Sequence, residues 1–176
     1  MAVTNRVLYV LRHALAIAVC PVTVAIIIPI WIARRSGTDV VLPSTARDVA
    51  LALAGAFVFA IGVALFAASL YEFFARGQGT LAPWDPPRRL VVRGPYRYVR
   101  NPMISGVIFI LCGEALVLRS LPHARWAGLF FIINAIYIPL LEEPMLRDRF
   151  GDDYVRYTRH VGRLIPRLRP WHEPGA

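Results

Sequence analysis

The stretch "VALALAGAFVFAIGVALFAASLYEFF", residues 49–74, carries no charged side chain before Glu72. An α-helix rises 1.5 Å per residue, so about 20 apolar residues cross a hydrocarbon layer of ~30 Å. This run is long enough to do so in one pass. Within it Ala52, Ala56, Ala60, Ala64 and Ala68 recur at every fourth position. A stripe of small residues lets helix backbones approach closely in lipid, so it predicts a packing seam.

Three further apolar runs lie on either side. Residues 14–33 are uncharged and interrupted by Pro21 and Pro29, which membrane helices tolerate when neighbours satisfy the freed carbonyls. Residues 103–118 and 126–141 are shorter, and Arg100, Arg119 and Arg125 flank them, placed to snorkel to the interface and extend their reach. The expected fold is an all-α integral membrane protein of about four transmembrane helices, 14–33, 49–74, 103–118 and 126–141. A length of 176 residues fits a single domain, 1–176. The segment 142–176 reads as helical as far as Gly162 and is proline-marked beyond. The first run ends at Arg34 without an A-x-A-like site, so no cleavable signal peptide is expected.

Composition agrees. The chain is 57% hydrophobic, with mean hydropathy +0.52 and a formal charge of +9. Nucleic-acid binders carry such charge on a polar soluble surface, and this chain is too apolar for that, so nucleic acid is not the expected partner. Cys20 and Cys112 lie in apolar runs without CxxC spacing, and the four histidines are scattered, which argues against a disulfide framework and against a metal site. All 20 basic residues are arginine, which a GC-rich genome explains without any function. Four spans would place 15 arginines on the side of both termini and the 75–102 loop, and five on the other. The positive-inside rule makes the first side cytoplasmic, and the expected location is a prokaryotic cell membrane.

Between the second and third runs, Gly77, Gly79, Pro83, Pro86, Pro87, Gly94 and Pro95 break all periodicity. A connection this long inside a compact domain is usually functional. Trp84, Tyr96 and Tyr98 suit the headgroup layer. Charges within spans are costly and are usually paired or functional. Glu114 has Arg119 and Arg125 within reach, as an ion pair or a ligand contact. Glu142 and Glu143 close the fourth run; adjacent helical positions point ~100° apart, so one carboxylate can face a pocket while its neighbour pairs with arginine or water. An ordinary polar helix end is the plainer reading.

The wider context sharpens that doublet. In "RGPYRYVRNPMISG", residues 93–106, three arginines and two tyrosines crowd against the start of the third run. Its core, "GPYRYVRNPMISG", resembles the G-x-Y-x-x-x-R-H-P-x-Y-x-G signature of the isoprenylcysteine carboxyl methyltransferase family and its phospholipid methyltransferase relatives. "EEPMLRDRFGDDYVRYTRHVGRLIP", residues 142–166, resembles the family's C-terminal signature through Glu142, Glu143, Leu146, Phe150, Gly151, Tyr154, Tyr157 and Pro166. The two together span Gly94 to Pro166, separated by two short spans as in the family. Asn101 stands where the family has histidine, Ile104 where it has tyrosine, and Gly162 where proline is usual.

The resemblance implies an integral membrane methyltransferase that uses S-adenosylmethionine, bound at the cytosolic surface where the loop and the C-terminal segment close a pocket. The cofactor-binding residues it implies are Tyr96, Arg100, Asn101, Pro102, Gly106, Glu142 and Glu143, with Arg100 and Glu143 as catalytic residues. Arg100 suits the cofactor's carboxylate, a glutamate its ammonium, and Gly106 a close approach. The expected substrate is a lipophilic small molecule or lipid. Asn101 cannot titrate near neutral pH, which leans the reading toward carboxyl methylation of an isoprenoid or prenylcysteine-type acceptor, already ionised at neutral pH. Phospholipid N-methylation is the enzymatic alternative, and a small transporter or assembly protein the non-enzymatic one.

Overall fold

The structure is a computed structural model, and it describes residues 18–38, 42–76 and 89–172. Trp84 and residues 14–17 of the first expected span lie outside the described residues. A π-helical segment, Ala18–Ile27, runs into α1 (Ile28–Ser36). Then follow α2 (Ala46–Arg76), a 3-10 turn at Gly94–Arg97, α3 (Pro102–Val117), α4 (Leu121–Tyr137), a π turn at Ile138–Glu142, and α5 (Glu143–His160). Among the described residues the only strand-like pairing is one isolated parallel bridge between Val99 and Gly162.

Two helical stretches are long and apolar enough to cross a bilayer, 46–75 and 121–160. α3 is apolar but has 16 residues. Leu53, Phe57, Ile132, Ile136 and Leu140 are each more than half exposed, and an apolar outer face of this kind is solvated by lipid tails rather than water.

The closest packing is between α2 and α3, and glycine makes it. A Cβ on Gly62 would lie 2.6 Å from Ile110 N and 2.8 Å from Gly106 O; one on Gly55 would lie 2.9 Å from Gly113 O. The pairs Gly55–Gly113 and Gly62–Gly106 set the helices antiparallel with backbone against backbone. This corrects the expected alanine seam: Ala56, Ala60, Ala64 and Ala68 are exposed, whereas Gly55, Gly62 and Ser69 on the adjacent stripe are buried. A methyl group on the seam would hold the backbones apart, so the glycines take the interface and the alanines face outward.

Side chains of α4 repair the proline breaks in the first helix. In the i→i+5 ladder of a π-helix, Pro29 would serve Val24 O but has no N–H to give. Trp126 Nε1 donates to Val24 O instead, at 3.1 Å. His123 is buried, with Nε2 donating to Pro29 O at 3.1 Å and Nδ1 receiving the Ser120 hydroxyl at 2.7 Å. At the start of α2, Thr45 N donates to Asp48 Oδ2 while Asp48 N donates to Thr45 Oγ1, a reciprocal cap. Asp48 also pairs with Arg119 at 3.0 Å. The expected partnership of Arg119 with Glu114 is therefore corrected: Arg119 reaches across to the neighbouring helix, and Glu114 Oε2 is buried without a hydrogen-bond partner.

Two apolar clusters result. Ala25, Val107, Ile110, Leu111 and Ala127 fill the space between the helices. Tyr154, Tyr157, Val161 and Trp171, backed by Leu90, Val92, Leu146 and Phe150, form a second cluster beyond the apolar runs. The candidate site lies between them.

Candidate active site

A cavity of about 380 Å³ opens where the two clusters meet. Val24, Phe66, Val107 and Phe130 line its apolar end, and Tyr96, Arg100, Asn101, Glu142 and Tyr154 its polar end. This volume and this mixture, mostly apolar walls with a few converging polar groups, are those of a small-molecule site.

The polar end is assembled from two segments far apart in the chain. Residues 97–101 enter α3 through Pro102, whose missing N–H costs nothing at a first helical turn. A C-terminal strap, residues 162–172, lies along them. Arg100 N donates to Gly162 O at 2.9 Å, Arg167 N to Tyr98 O at 3.0 Å, and Trp171 N to Arg97 O at 3.0 Å. The Arg97 guanidinium returns a bond from Nε to Trp171 O at 2.9 Å. From α5, the Tyr157 hydroxyl donates to Tyr96 O at 2.5 Å. Asn101 spends its side chain on the same clamp, Nδ2 donating to Arg163 O at 3.3 Å.

The acidic doublet divides as neighbouring helical positions do. Pro139 has no N–H for the helical ladder, and the chain passes through the π turn, in which Glu143 N donates to Ile138 O. Glu142 emerges in the cavity wall. Glu143 points to the arginines: Arg163 Nε and Nη2 bind its two oxygens at 2.6 and 2.9 Å, and Arg100 Nη1 lies 3.1 Å from Oε1. Burial pushes Glu142, the residue after the fourth apolar run, up to about 7; the Glu143 charge adds to this and Arg100 opposes it. Burial acts the same way on Glu143, but the Arg163 hydrogen bonds and the charges of Arg100, Arg163 and Arg147 outweigh it and hold that carboxyl below its ordinary range. Burial also lifts the Tyr154 hydroxyl to about 12 and raises Tyr96 and Tyr157 further. All three phenols are neutral donors at physiological pH.

Of the residues expected at the site, Tyr96, Arg100, Asn101, Pro102 and Glu142 line the cavity. Glu143 is not in the cavity wall; it stands behind Arg100, paired with it. Gly106 is placed elsewhere: its Cα faces α2, where a Cβ would meet Phe66 N at 2.9 Å and Gly62 O at 3.0 Å. It is a helix-packing glycine and not a cavity one, which corrects the expectation of a close approach there. Sequence reasoning missed Arg163, which has no signal beyond being one arginine among many. It also passed over Asn134 as a site residue, although an amide inside an apolar run is itself such a signal. Asn134 is buried in the cavity wall; Nδ2 donates to Phe130 O at 2.8 Å, which leaves its carbonyl oxygen to the cavity.

A family model described as phospholipid methyltransferase matches residues 50–153, which takes in all but the first turn of α2, the whole of α3 and α4, the first part of α5 and most of the cavity wall. The chain belongs to the phospholipid methyltransferase family. Neither a curated protein nor a solved structure matches it significantly. Phospholipid methyltransferases transfer methyl groups to lipid-type substrates, and the apolar helices fit a membrane protein of that kind. Methyltransferases of this family generally draw the methyl group from S-adenosylmethionine. The cavity residues fit such a donor. Arg100 Nη1 is paired with Glu143 at 3.1 Å, but its buried Nε has no hydrogen-bond acceptor and is a donor left for a carboxylate, and Glu142 offers a carboxyl to an ammonium. Among the described residues no cluster of ligating side chains suits a metal ion.

Proposed function

We propose that the protein methylates the amine headgroup of a membrane phospholipid, with S-adenosylmethionine as donor and Glu142 as proton acceptor. The observation that carries this reading is a half-buried carboxyl in the wall of a largely apolar cavity, an environment that pushes it up to about 7. A lipid ammonium must lose a proton before it can attack carbon, and a general base works best with a pKa near the operating pH. Asn101 cannot take that part; Glu142 can. The donor, when bound, supplies an electrophilic methyl on sulfur. Arg100 would hold its carboxylate, braced from behind by Glu143, and the rings of Tyr96, Tyr154 and Tyr157 would narrow the polar end so that nucleophile, methyl and leaving sulfur align. The apolar end would take the acyl-bearing acceptor. The distribution of arginines supports a cytoplasmic active face.

One observation favours a second reading. The unpartnered Nε of Arg100 could instead receive the carboxylate of a lipophilic acid, such as a prenylcysteine-type acceptor, with Glu142 engaged on the donor's ammonium. No base is then needed, because the acceptor is already ionised.

Detergent-purified protein should bind S-adenosylmethionine with micromolar-range affinity, lost in Arg100→Ala and Glu143→Ala and kept in Arg34→Ala. Equal binding by all three variants would refute the site. Methyl-labelled donor with vesicles containing phosphatidylethanolamine, or with a prenylated carboxylic acid, separates the chemistries, since a methyl ester releases its label in alkali and an N-methyl group does not.

A further inference from the structure

The strap that clamps the site also carries a face that nothing in the described protein covers. Ile165 is 84% exposed and Leu168 fully exposed, an unusual position for two large aliphatic side chains on a polar segment. Arg167 and Arg169 flank Leu168, and no carboxylate pairs with either among the described residues. Arg169 is exposed, whereas Arg167 is half-buried with its Nη1 turned inward and without an acceptor. The height of this face relative to the bilayer follows from the clamp. Arg167 and Trp171 are hydrogen-bonded to Tyr98 and Arg97, which stand just before Pro102, where the apolar helix α3 begins. The strap is thus held at the level where α3 leaves the hydrocarbon, beside the half-exposed ring of Tyr98.

Aliphatic side chains next to unpaired arginines, at that level, match the anionic headgroup layer of a membrane: apolar groups sink into the acyl boundary and the guanidiniums meet phosphates. We infer that residues 164–169 dock on anionic phospholipid of the same bilayer in which the helices lie. The dock is coupled to the active site through one residue. Arg163, at the head of the same strap, makes the two bonds to Glu143 that back Arg100. A leaflet that seats the strap therefore seats the cofactor arginine, and the negative charge of the membrane becomes a condition of tight donor binding.

The test is hydrogen exchange on the full chain, one copy per nanodisc, in phosphatidylcholine alone and with phosphatidylglycerol replacing part of it. The amide of Trp171, bonded to Arg97, reports whether the strap is still seated. The amides of Leu164, Ile165, Leu168 and Arg169 should exchange several-fold more slowly in the anionic discs. In Arg167→Gln with Arg169→Gln the dependence on phosphatidylglycerol should vanish, each arginine near an anionic surface being worth about fivefold in binding. In Ile165→Ser with Leu168→Ser exchange should be fast in both lipids. Equal exchange of the natural chain in both discs overturns the inference, as does a lipid dependence that survives in the glutamine variant. Slowing reproduced by inorganic phosphate in phosphatidylcholine discs would mark a simple anion site and also overturn it. The readout needs neither methyl donor nor acceptor, so its failure leaves the proposed reaction untouched.

Discussion

Arg163 grips the Glu143 carboxylate with two hydrogen bonds, at 2.6 and 2.9 Å, across 20 residues of sequence, and Arg100 shares the same oxygen at 3.1 Å. One carboxylate thus organises two guanidiniums, one from each of the segments that form the polar end of the cavity. Removing it leaves two cations facing each other. Glu143→Ala should lower unfolding stability in detergent by about 2 kcal/mol, between the values of surface and buried pairs. Arg163→Ala should cost less, because Arg100 still balances Glu143. Thermal unfolding of the two variants checks the order; a larger loss in Arg163→Ala would contradict it.

Glu142 makes stability depend on pH in a defined direction. Its folded-state value is raised from the ordinary 4.5 to about 7, so the folded protein holds a proton that the unfolded chain releases. The resulting stabilisation is complete below pH 4.5, falls as pH rises and is gone above about 7. The amplitude is on the order of 3 kcal/mol. Glu142→Gln should flatten the stability profile across that window. In the amine-methylating reading, turnover of the natural protein should rise with a midpoint near pH 7, where Glu142 of the folded protein gives up its proton.

The glycine seam predicts a contrast between two substitutions of the same kind. Gly62→Ala places a methyl 2.6 Å from Ile110 N, against backbone that can move only by separating the helices, and should destabilise by about 1–3 kcal/mol. At Gly128 nothing lies within 4 Å of an added Cβ, and Gly128→Ala should be neutral or stabilising by about 0.5–1 kcal/mol, since alanine is the better helix former. Chemical or thermal denaturation of the two proteins side by side measures the difference.

Asn134 offers an oxygen to whatever fills the middle of the cavity. An amine or hydroxyl headgroup would donate to it; a carboxylate would not. Asn134→Leu should raise the KM for an aminophospholipid by about tenfold, the loss of one buried hydrogen bond, with binding of S-adenosylmethionine unchanged. An unchanged KM for the amine would count against the leading acceptor.

Helix positions were legible in the sequence because lipid imposes a simple rule: apolar runs of sufficient length must satisfy their own backbone and become helices. The all-helical fold followed from that rule, and the approach of the two signature segments was what the family resemblance implied. Contact partners were not legible in the same way. Alanines at regular spacing and glycines one or two positions away carry the same small-residue signal, and only the pairing of α2 with α3 decides that Gly55 and Gly62 face inward. Arg119 had a glutamate nearer in sequence, yet the fold brings Asp48 to it.

By itself the sequence determined a helical membrane protein with a basic, aromatic segment and an acidic doublet set at the ends of apolar runs, because hydropathy and charge act locally and leave a direct trace. The tertiary structure alone decided that Glu142 faces the cavity and Glu143 the arginines, that Gly106 packs against α2 rather than a ligand, and that Arg163 completes the site. Each depends on how a π turn rotates one side chain and on which distant backbone lies opposite, relations between segments that no single stretch of sequence contains.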